Sequence, residues 1–359
     1  MQFPLRNRHR AGWLALAFLW CSMAVAQPAH LIFWKGPFSS AREAATALRK
    51  PILLHFQTDN PFDKQFDTIV YRDPDVVLFT GHTCLPFLVR ADAMDSENVA
   101  IVAQYHVKDF PTVILINHDG TEIDRMVGYQ TPRQFLLTLQ DFVNDTNTVG
   151  NLRNRLRADT TNLALAFQLA VRYELRTEVD SAMWLMRAII SRGDDSMFVV
   201  QSAKLHLATF DARALNSATL LGRFVDESPI DSLRRSAVAE LLGFYQRHKW
   251  IDSTRAVFER AIVRWQNDAE LFNDYAWFLA EQPGSDLARA EQLAARAVAL
   301  EPGEAEYYDT RAYVFAKRQM YNEALMAIEI ALRLRPDDKQ FLARRAAYRD
   351  ALGAKAKRD

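Results

Sequence analysis

The spacing of apolar positions changes near residue 145, and the change divides the chain. Before it, apolar residues come in short runs bounded by turn-forming residues; after it they recur at helical spacing, with few glycines. The run Ile52 to Phe56 stops abruptly at Thr58-Asp59-Asn60, which predicts a buried strand. A helix should follow, with Asn60 as N-cap, Pro61 where a missing donor does no harm, and Asp63 closing a capping box at the positive helix end. Around this joint the pattern predicts a helix over Ser39 to Leu48, and a helix from Pro61 to about Phe79 interrupted near Asp73-Pro74. It continues with a strand over Leu85 to Ala91, a helix over Glu97 to Tyr105, and a strand over Val107 to Ile116 entered through Pro111. Asp119-Gly120 then turns the chain into Ile123–Val127, Gly128 marks a bend, and Pro132 to Val143 closes as a helix.

Composition adds little to this picture. The chain has 359 residues, 49% hydrophobic and 25% charged, enough for two domains. Its 44 basic and 44 acidic residues cancel, so no general field recruits nucleic acid. The N-terminus does change the reading. Arg6, Arg8 and Arg10 precede the apolar run Trp13 to Val25, which ends in Ala24-Val-Ala26, the pattern of a signal peptide (1–26) cleaved after Ala26. As an uncleaved anchor the run is short of the ~20 residues a spanning helix needs, and Trp20 is too large to precede a lipidated Cys21. The expectation is export to the periplasm or cell envelope, with no membrane insertion once the signal is removed. Cleavage leaves Cys84 as the one thiol, so no internal disulfide is possible. At the start of a strand it reads either as a small buried hydrophobe or as a reactive thiol.

The strand-to-helix joint resembles the thioredoxin-like family, where this turn carries Trp-Cys-x-x-Cys-Lys. Aligning on Lys64 places Asp59 at the tryptophan, Asn60 at the first cysteine and Asp63 at the second. Neither an amide nor a carboxylate can attack a disulfide, so the resemblance implies the fold without its dithiol exchange. Phe110-Pro111-Thr112 resembles the family's cis-proline loop, and Asp119-Gly120 with Gly128-Tyr129 resembles its last hairpin. Phe33-Trp34-Lys35 followed by a helix resembles exported members that process or escort envelope proteins. The resemblance implies that Asn60, Asp63, Phe110, Pro111 and Thr112 border a cleft for an extended peptide. The plainer alternative is a well-capped helix that has lost its chemistry. Asp59, Asp63 and Asp67 recur at four-residue spacing, but nothing completes a metal site around them.

Beyond a polar stretch, Asn144 to Thr148, internal repetition appears. Ala312, Phe315, Ala324, Ile328, Ala331 and Pro336 form one unit; Ala276, Leu279, Ala290, Ala294, Ala297 and Pro302 form another. Both resemble the tetratricopeptide repeat. Weaker copies run through Leu169-Ala170, Tyr173, Ala182 and Met186, and through Leu241-Leu242, Tyr245, Phe258 and Ala261; residues 196–224 supply a degenerate pair. Arg311 and Thr254 stand where an apolar and a small residue are usual. The resemblance places Glu270, Asn273, Trp277, Glu306, Asp309, Tyr313 and Lys317 on a concave groove suited to a peptide or partner helix. The competing reading is an array that only packs on the first domain.

The sequence holds no phosphate-binding glycine loop, no His-Glu-x-x-His and no Gly-x-Ser-x-Gly, so no catalytic residue and no cofactor are expected. The fold class expected is an α/β thioredoxin-like domain (27–144), a linker with a first helix (145–160), an all-α tetratricopeptide-type solenoid (161–352) and a basic tail (353–359). The expected function is a redox-inactive scaffold or chaperone-like module that binds a protein or peptide partner, an envelope client among them. The alternatives are a thiol oxidoreductase or isomerase working through Cys84, and a structural protein whose first domain caps the repeats.

Overall fold

The computed structural model describes residues 30–93 and 95–356. The expected signal segment, Cys21 and the last residues of the basic tail lie outside the described residues. Helix α1 (Phe38–Leu48) leads into β1 (Ile52–Gln57), α2 (Pro61–Thr68), a single 3-10 turn (Val70–Arg72), α3 (Pro74–Thr83) and β2 (Leu85–Arg90). After α4 (Ser96–Gln104) come β3 (Thr112–Ile116), β4 (Glu122–Val127) and α5 (Pro132–Val143). The strands form one sheet in the order β2-β1-β3-β4, with β1 parallel to β2 and the other pairs antiparallel. Central β1 is buried on both faces, so its apolar run is nearly continuous rather than alternating. Ile52, Leu54 and Phe56 pack with α1 and α4, whereas Leu53 faces Phe66, Tyr71 and Phe135 on the other side.

Two local expectations shift. The strand expected from Val107 begins only at Thr112, because Pro111 has no N–H to give the ladder and residues 107–111 form a loop. The helix break expected near Asp73 starts earlier, at Ile69, and Asp73 becomes the N-cap of α3, accepting from the backbone N–H groups of Asp75 and Val76.

Packing divides the chain into two compact units, ending and beginning at Ala182 and Met183, so the boundary expected at residue 144 falls inside the first unit. The reason lies on edge strand β4. Asp124 is fully buried, and one oxygen accepts the Val149 N–H at 3.1 Å at the start of α6 (Val149–Ala158), while the other accepts the Arg125 N–H at 2.8 Å. Arg172 on α7 (Leu163–Leu175) comes within 3.7 Å of the same carboxylate and lies over the Phe142 ring of α5. Glu122 binds Arg125 on its own strand and sits 3.8 Å from Arg176. A sheet edge bearing inward carboxylates needs cations and helix N–H groups to cover it, and α6 and α7 supply both.

The remaining helices are α8 (Val179–Arg192), α9 (Phe198–Ala214), α10 (Thr219–Glu227), α11 (Asp231–Arg247), α12 (Ile251–Arg264), α13 (Ala269–Glu281), α14 (Leu287–Leu300), α15 (Ala305–Lys317), α16 (Tyr321–Leu334) and α17 (Lys339–Ala356). A residue in the left-handed region joins the two helices of each pair: Thr177, Asn216, Lys249, Gly284 and Gln319, spaced 39, 33, 35 and 35 apart. That period is the tetratricopeptide one, about 34 residues. Ala276, Ala290, Ala294 and Ala297, and Ala312, Ala324, Ile328 and Ala331, have no exposed surface. Their smallness lets paired helices approach while Phe258 and Tyr275, stacked at 4.8 Å, fill the space between. The two irregular positions resolve simply. Thr254 is buried with its hydroxyl donating to the Trp250 carbonyl, and Arg311 lays its guanidinium on the Phe315 ring. Among the described residues no helix is long and apolar enough to cross a membrane.

Asp124→Ala should lower the stability of the first unit by about 3–5 kcal/mol, because Arg172 and the Val149 N–H then lose a buried partner. Asp124→Asn, which keeps an acceptor, should cost clearly less. Urea unfolding midpoints rank the three chains, and an Asp124→Ala midpoint equal to the parent's would show that the carboxylate holds nothing.

Candidate functional site

The first candidate is the turn between β1 and α2, where the expected N-cap forms and Asp63 turns inward. Asn60 is the N-cap: its side-chain oxygen accepts the Asp63 N–H at 2.9 Å. Asp63 does not face a cleft. It is 1% exposed, and one oxygen accepts from the Thr58 N–H at 2.7 Å, the Thr58 hydroxyl at 3.0 Å and the Asn60 amide at 2.6 Å. Its other oxygen points at His55 Nε2, 3.9 Å away, with no hydrogen bond. Burial raises the Asp63 carboxyl, opposed by the two Thr58 bonds.

His55 lies in the middle of β1, fully buried among Phe33, Phe66 and Tyr71 with ring centroids 6.4, 5.1 and 5.2 Å away. Burial pushes its imidazole down to about 3, so it is neutral and its approach to Asp63 is not an ion pair. Neither ring nitrogen has a hydrogen-bond partner, nor does the buried Tyr71 hydroxyl. This interior pair was not read from the sequence, although a histidine inside an apolar strand run was the available signal.

The neighbouring loop also departs from expectation. The Phe110–Pro111 bond is cis, and Thr112 pairs with Phe56, which brings Pro111 to the same sheet end as the turn. But Pro111 and Thr112 are buried. The Pro111 carbonyl accepts the Gly128 N–H, and the Thr112 hydroxyl donates to the Asp109 carbonyl. Of the five cleft residues expected, Asn60 and Phe110 alone keep partial exposure. Asp59 is exposed and paired with Lys64, Asp63 turns inward and Asp67 is half-buried, and among the described residues no group of three acidic, histidine or cysteine side chains could hold a metal ion.

Cys84 is 2% exposed at the end of α3, and burial pushes its thiol up to about 11. Register places it beside Pro51, at the start of β1, whereas the turn leaves β1 after Gln57. A six-residue strand at ~3.3 Å per residue separates them by about 20 Å.

The second candidate is the inner surface of the second unit. Two open clefts of about 840 and 800 Å³ meet at Asp274. Glu270, Asn273 and Glu306 line the first and Trp277 the second, as expected. Trp277 stacks on Tyr313 at 4.6 Å. What the sequence did not reveal is that α17 reaches into this surface: the Arg344 guanidinium lies 5.0 Å from the Trp277 ring and 5.4 Å from Tyr313, and it pairs with Asp309. Asp309, expected to be free in the groove, is therefore 6% exposed and occupied by its own chain. The Tyr313 hydroxyl donates to Glu281, and Lys317 sits 3.8 Å from the same carboxylate. Leu242, Phe258, Leu271 and Phe278 give the second cleft apolar walls, and Arg235, Lys249, Asp274 and Glu281 are among its polar residues. Concave surfaces of this size, apolar with a few placed polar groups, are where proteins bind ligands and chain segments.

Residues 38–142 match the family model of a thioredoxin-like domain. No curated protein matches the chain. Among solved structures, the oxidoreductase DsbH is 18% identical, covering 32% of this chain and 88% of its own, with a TM-score of 0.29. A thioredoxin from Thermus thermophilus is 22% identical over 31% of this chain and 86% of its own, TM-score 0.28. YrrB, described as a tetratricopeptide protein with an unusual peptide-binding site, is 14% identical over 54% of this chain and 96% of its own, TM-score 0.40. The chain thus carries a thioredoxin-like domain followed by a tetratricopeptide-type helical solenoid.

Two measurements follow from the turn. His55 is protonated in the unfolded chain near pH 6.5 but resists protonation down to about 3 when folded. Stability therefore falls as pH drops through that window, by about 2 kcal/mol between pH 7 and 5 from this residue alone. Asp63 and Asp124, both raised by burial, titrate with the opposite sign and offset part of this loss. His55→Phe should flatten the acid limb by about that amount while costing at most ~1 kcal/mol at pH 7, since no hydrogen bond is lost. Parallel acid limbs for the two chains would refute the assignment. For Cys84, a thiol near pKa 11 is thiolate in roughly one molecule in ten thousand at pH 7. Maleimide labelling of the folded chain from residue 27 should run at least ~100-fold slower than after denaturation, and comparable rates would show the thiol to be open.

Proposed function

We propose that this chain is an exported protein that works by holding rather than by thiol exchange, a scaffold or chaperone-like module of the cell envelope that seats a segment of a partner protein. The observation that carries the reading is the pair of contiguous clefts in the second unit, meeting at Asp274 beside the Trp277–Tyr313 stack. Their combined size suits several residues of an extended or helical peptide, and Trp277 in the second cleft offers the kind of aromatic anchor that concentrates binding energy. Redox inactivity is supported by chemistry at the turn, where Asn60 and Asp63 present oxygen and nitrogen, and by the burial of Cys84 far from it. Export is supported by the sequence of residues 1–26. The thioredoxin-like domain adds at most a minor contact through Asn60 and Phe110.

Trp277→Ala should weaken binding of a partner at least ~tenfold, the loss expected of a central aromatic anchor, whereas Phe110→Ala should change it less than ~threefold. Affinity capture from the envelope with the parent and both variants reads this, and partners unchanged in both would sink the proposal. The purified chain should not reduce insulin above background. Reduction abolished by Cys84→Ser would replace this reading with an oxidoreductase.

A further inference from the structure

The cleft between α13 and α15 is acidic beyond what the chain itself compensates. Asp268, Glu270, Asp274, Glu301, Glu304 and Glu306 line it. Arg235 serves Asp268 at 2.5 Å and Glu270 at 3.4 Å, and Arg335 pairs with Glu306. Among the described residues no cation stands within ion-pair distance of Asp274, Glu301 or Glu304, although Arg235 lies near enough to favour the charged form of Asp274 and Arg264 also lines the cleft. These carboxylates ring a cavity of about 840 Å³ rather than converge on a point, and among the described residues no group of three or more acidic, histidine or cysteine side chains could hold a metal ion.

Two independent observations say what the cleft takes. The first is Tyr307. Its side chain is 9% exposed and lines the cavity. Burial, and then Glu301, Glu270, Glu304 and Asp274 around it, push it up to about 12, so it stays a neutral phenol whose oxygen can accept a proton donor entering from the cleft. The second is Arg344. A little further along the same surface the chain seats its own guanidinium against two aromatic faces and a buried carboxylate, showing that this surface accommodates a positively charged side chain. Asp274 behaves accordingly: its side chain reaches solvent at the cleft mouth, yet the walls withhold bulk water and Glu270 and Asp268 lie near, which push it up to about 6 against the opposing Asn273 amide and Arg235.

We propose that the groove selects a peptide segment carrying at least two lysine or arginine side chains next to an apolar residue. The basic side chains enter the cleft at Asp274, Glu301 and Glu304, with Tyr307 accepting one N–H, and the apolar residue fills the adjoining cleft beside Trp277. This rests on the peptide-groove reading above and adds the charge of the ligand. A neutral or acidic segment would leave three carboxylates facing it uncompensated.

The test is selection of a displayed random 12-residue library on the full chain from residue 27, at pH 7.5 and low salt, followed by titration of the winning synthetic peptides. Enriched peptides should carry net positive charge beside an apolar residue. Their affinity should fall at least ~fivefold when salt rises from about 50 to 300 mM, and again from pH 7.5 to 5 as Asp274 takes a proton. The double substitution Asp274→Asn with Glu304→Gln should weaken them at least ~tenfold; the salt response of the parent chain needs no variant to fold. Neutral or acidic winners that compete at the groove and are weakened by Trp277→Ala overturn the charge assignment and leave the groove standing. No enrichment, or winners indifferent to Trp277→Ala and to the acidic substitutions alike, overturns both.

Discussion

One carboxylate with no exposed surface ties the sheet domain to the two helices that follow it. Asp124 lies on an edge strand, and an edge strand ordinarily defends itself with exposed charge. Here the charge points inward, which costs desolvation, and the chain offsets that cost with two backbone N–H groups and the nearby Arg172. Because one of those N–H groups opens α6 and the arginine belongs to α7, the first two helices of the repeat-like sequence are part of the sheet domain's packing. A cut at the polar stretch before Thr148 would strand the carboxylate. The family match ends at residue 142, while the packing of the sheet edge runs on into α6 and α7.

A similar inward charge governs the turn. Where relatives of this fold hold a sulfur that must be reached by a substrate, Asp63 holds an oxygen that must be kept from solvent, with Thr58 and Asn60 wrapped around it. The three donors keep the carboxylate bound in place, and they use up the groups that a ligand would have met. His55 behind it is neutral because it is buried, so no ion pair compensates Asp63 from that side. The turn is a well-made corner, and its partial exposure at Asn60 and Phe110 is what remains of a cleft.

Much of the fold was legible in the sequence because it is written in local terms. The cap at Asn60, the buried run of β1, the hairpin at Asp119-Gly120 and the small residues of the repeats each follow from neighbours a few positions away. The site was less legible. Whether Asp63 points in or out depends on what lies behind β1, which no spacing reveals. Arg344 meets Trp277, 67 positions earlier, because helices stack, and nothing in the sequence around either residue announces the meeting. Asp274 was within reach: it follows Glu270 by four positions, and two acids one turn apart on a groove-facing helix are a visible liability.

That liability separates the two halves of the inner surface. Asp274 has no paired lysine or arginine and meets only the more distant Arg235, which is set against Asp268 as Arg344 is set against Asp309. Like charges one helical turn apart cost a few tenths of a kcal/mol in open water and more where walls thin the solvent. The array pays that small cost at Asp274, Glu301 and Glu304 while neutralising their neighbours on either side, so the uncompensated charge is confined to one stretch of wall. Unrelieved repulsion in a cleft is a free energy that an incoming cation removes. Its contribution to binding is therefore already present in the empty groove, before any contact forms.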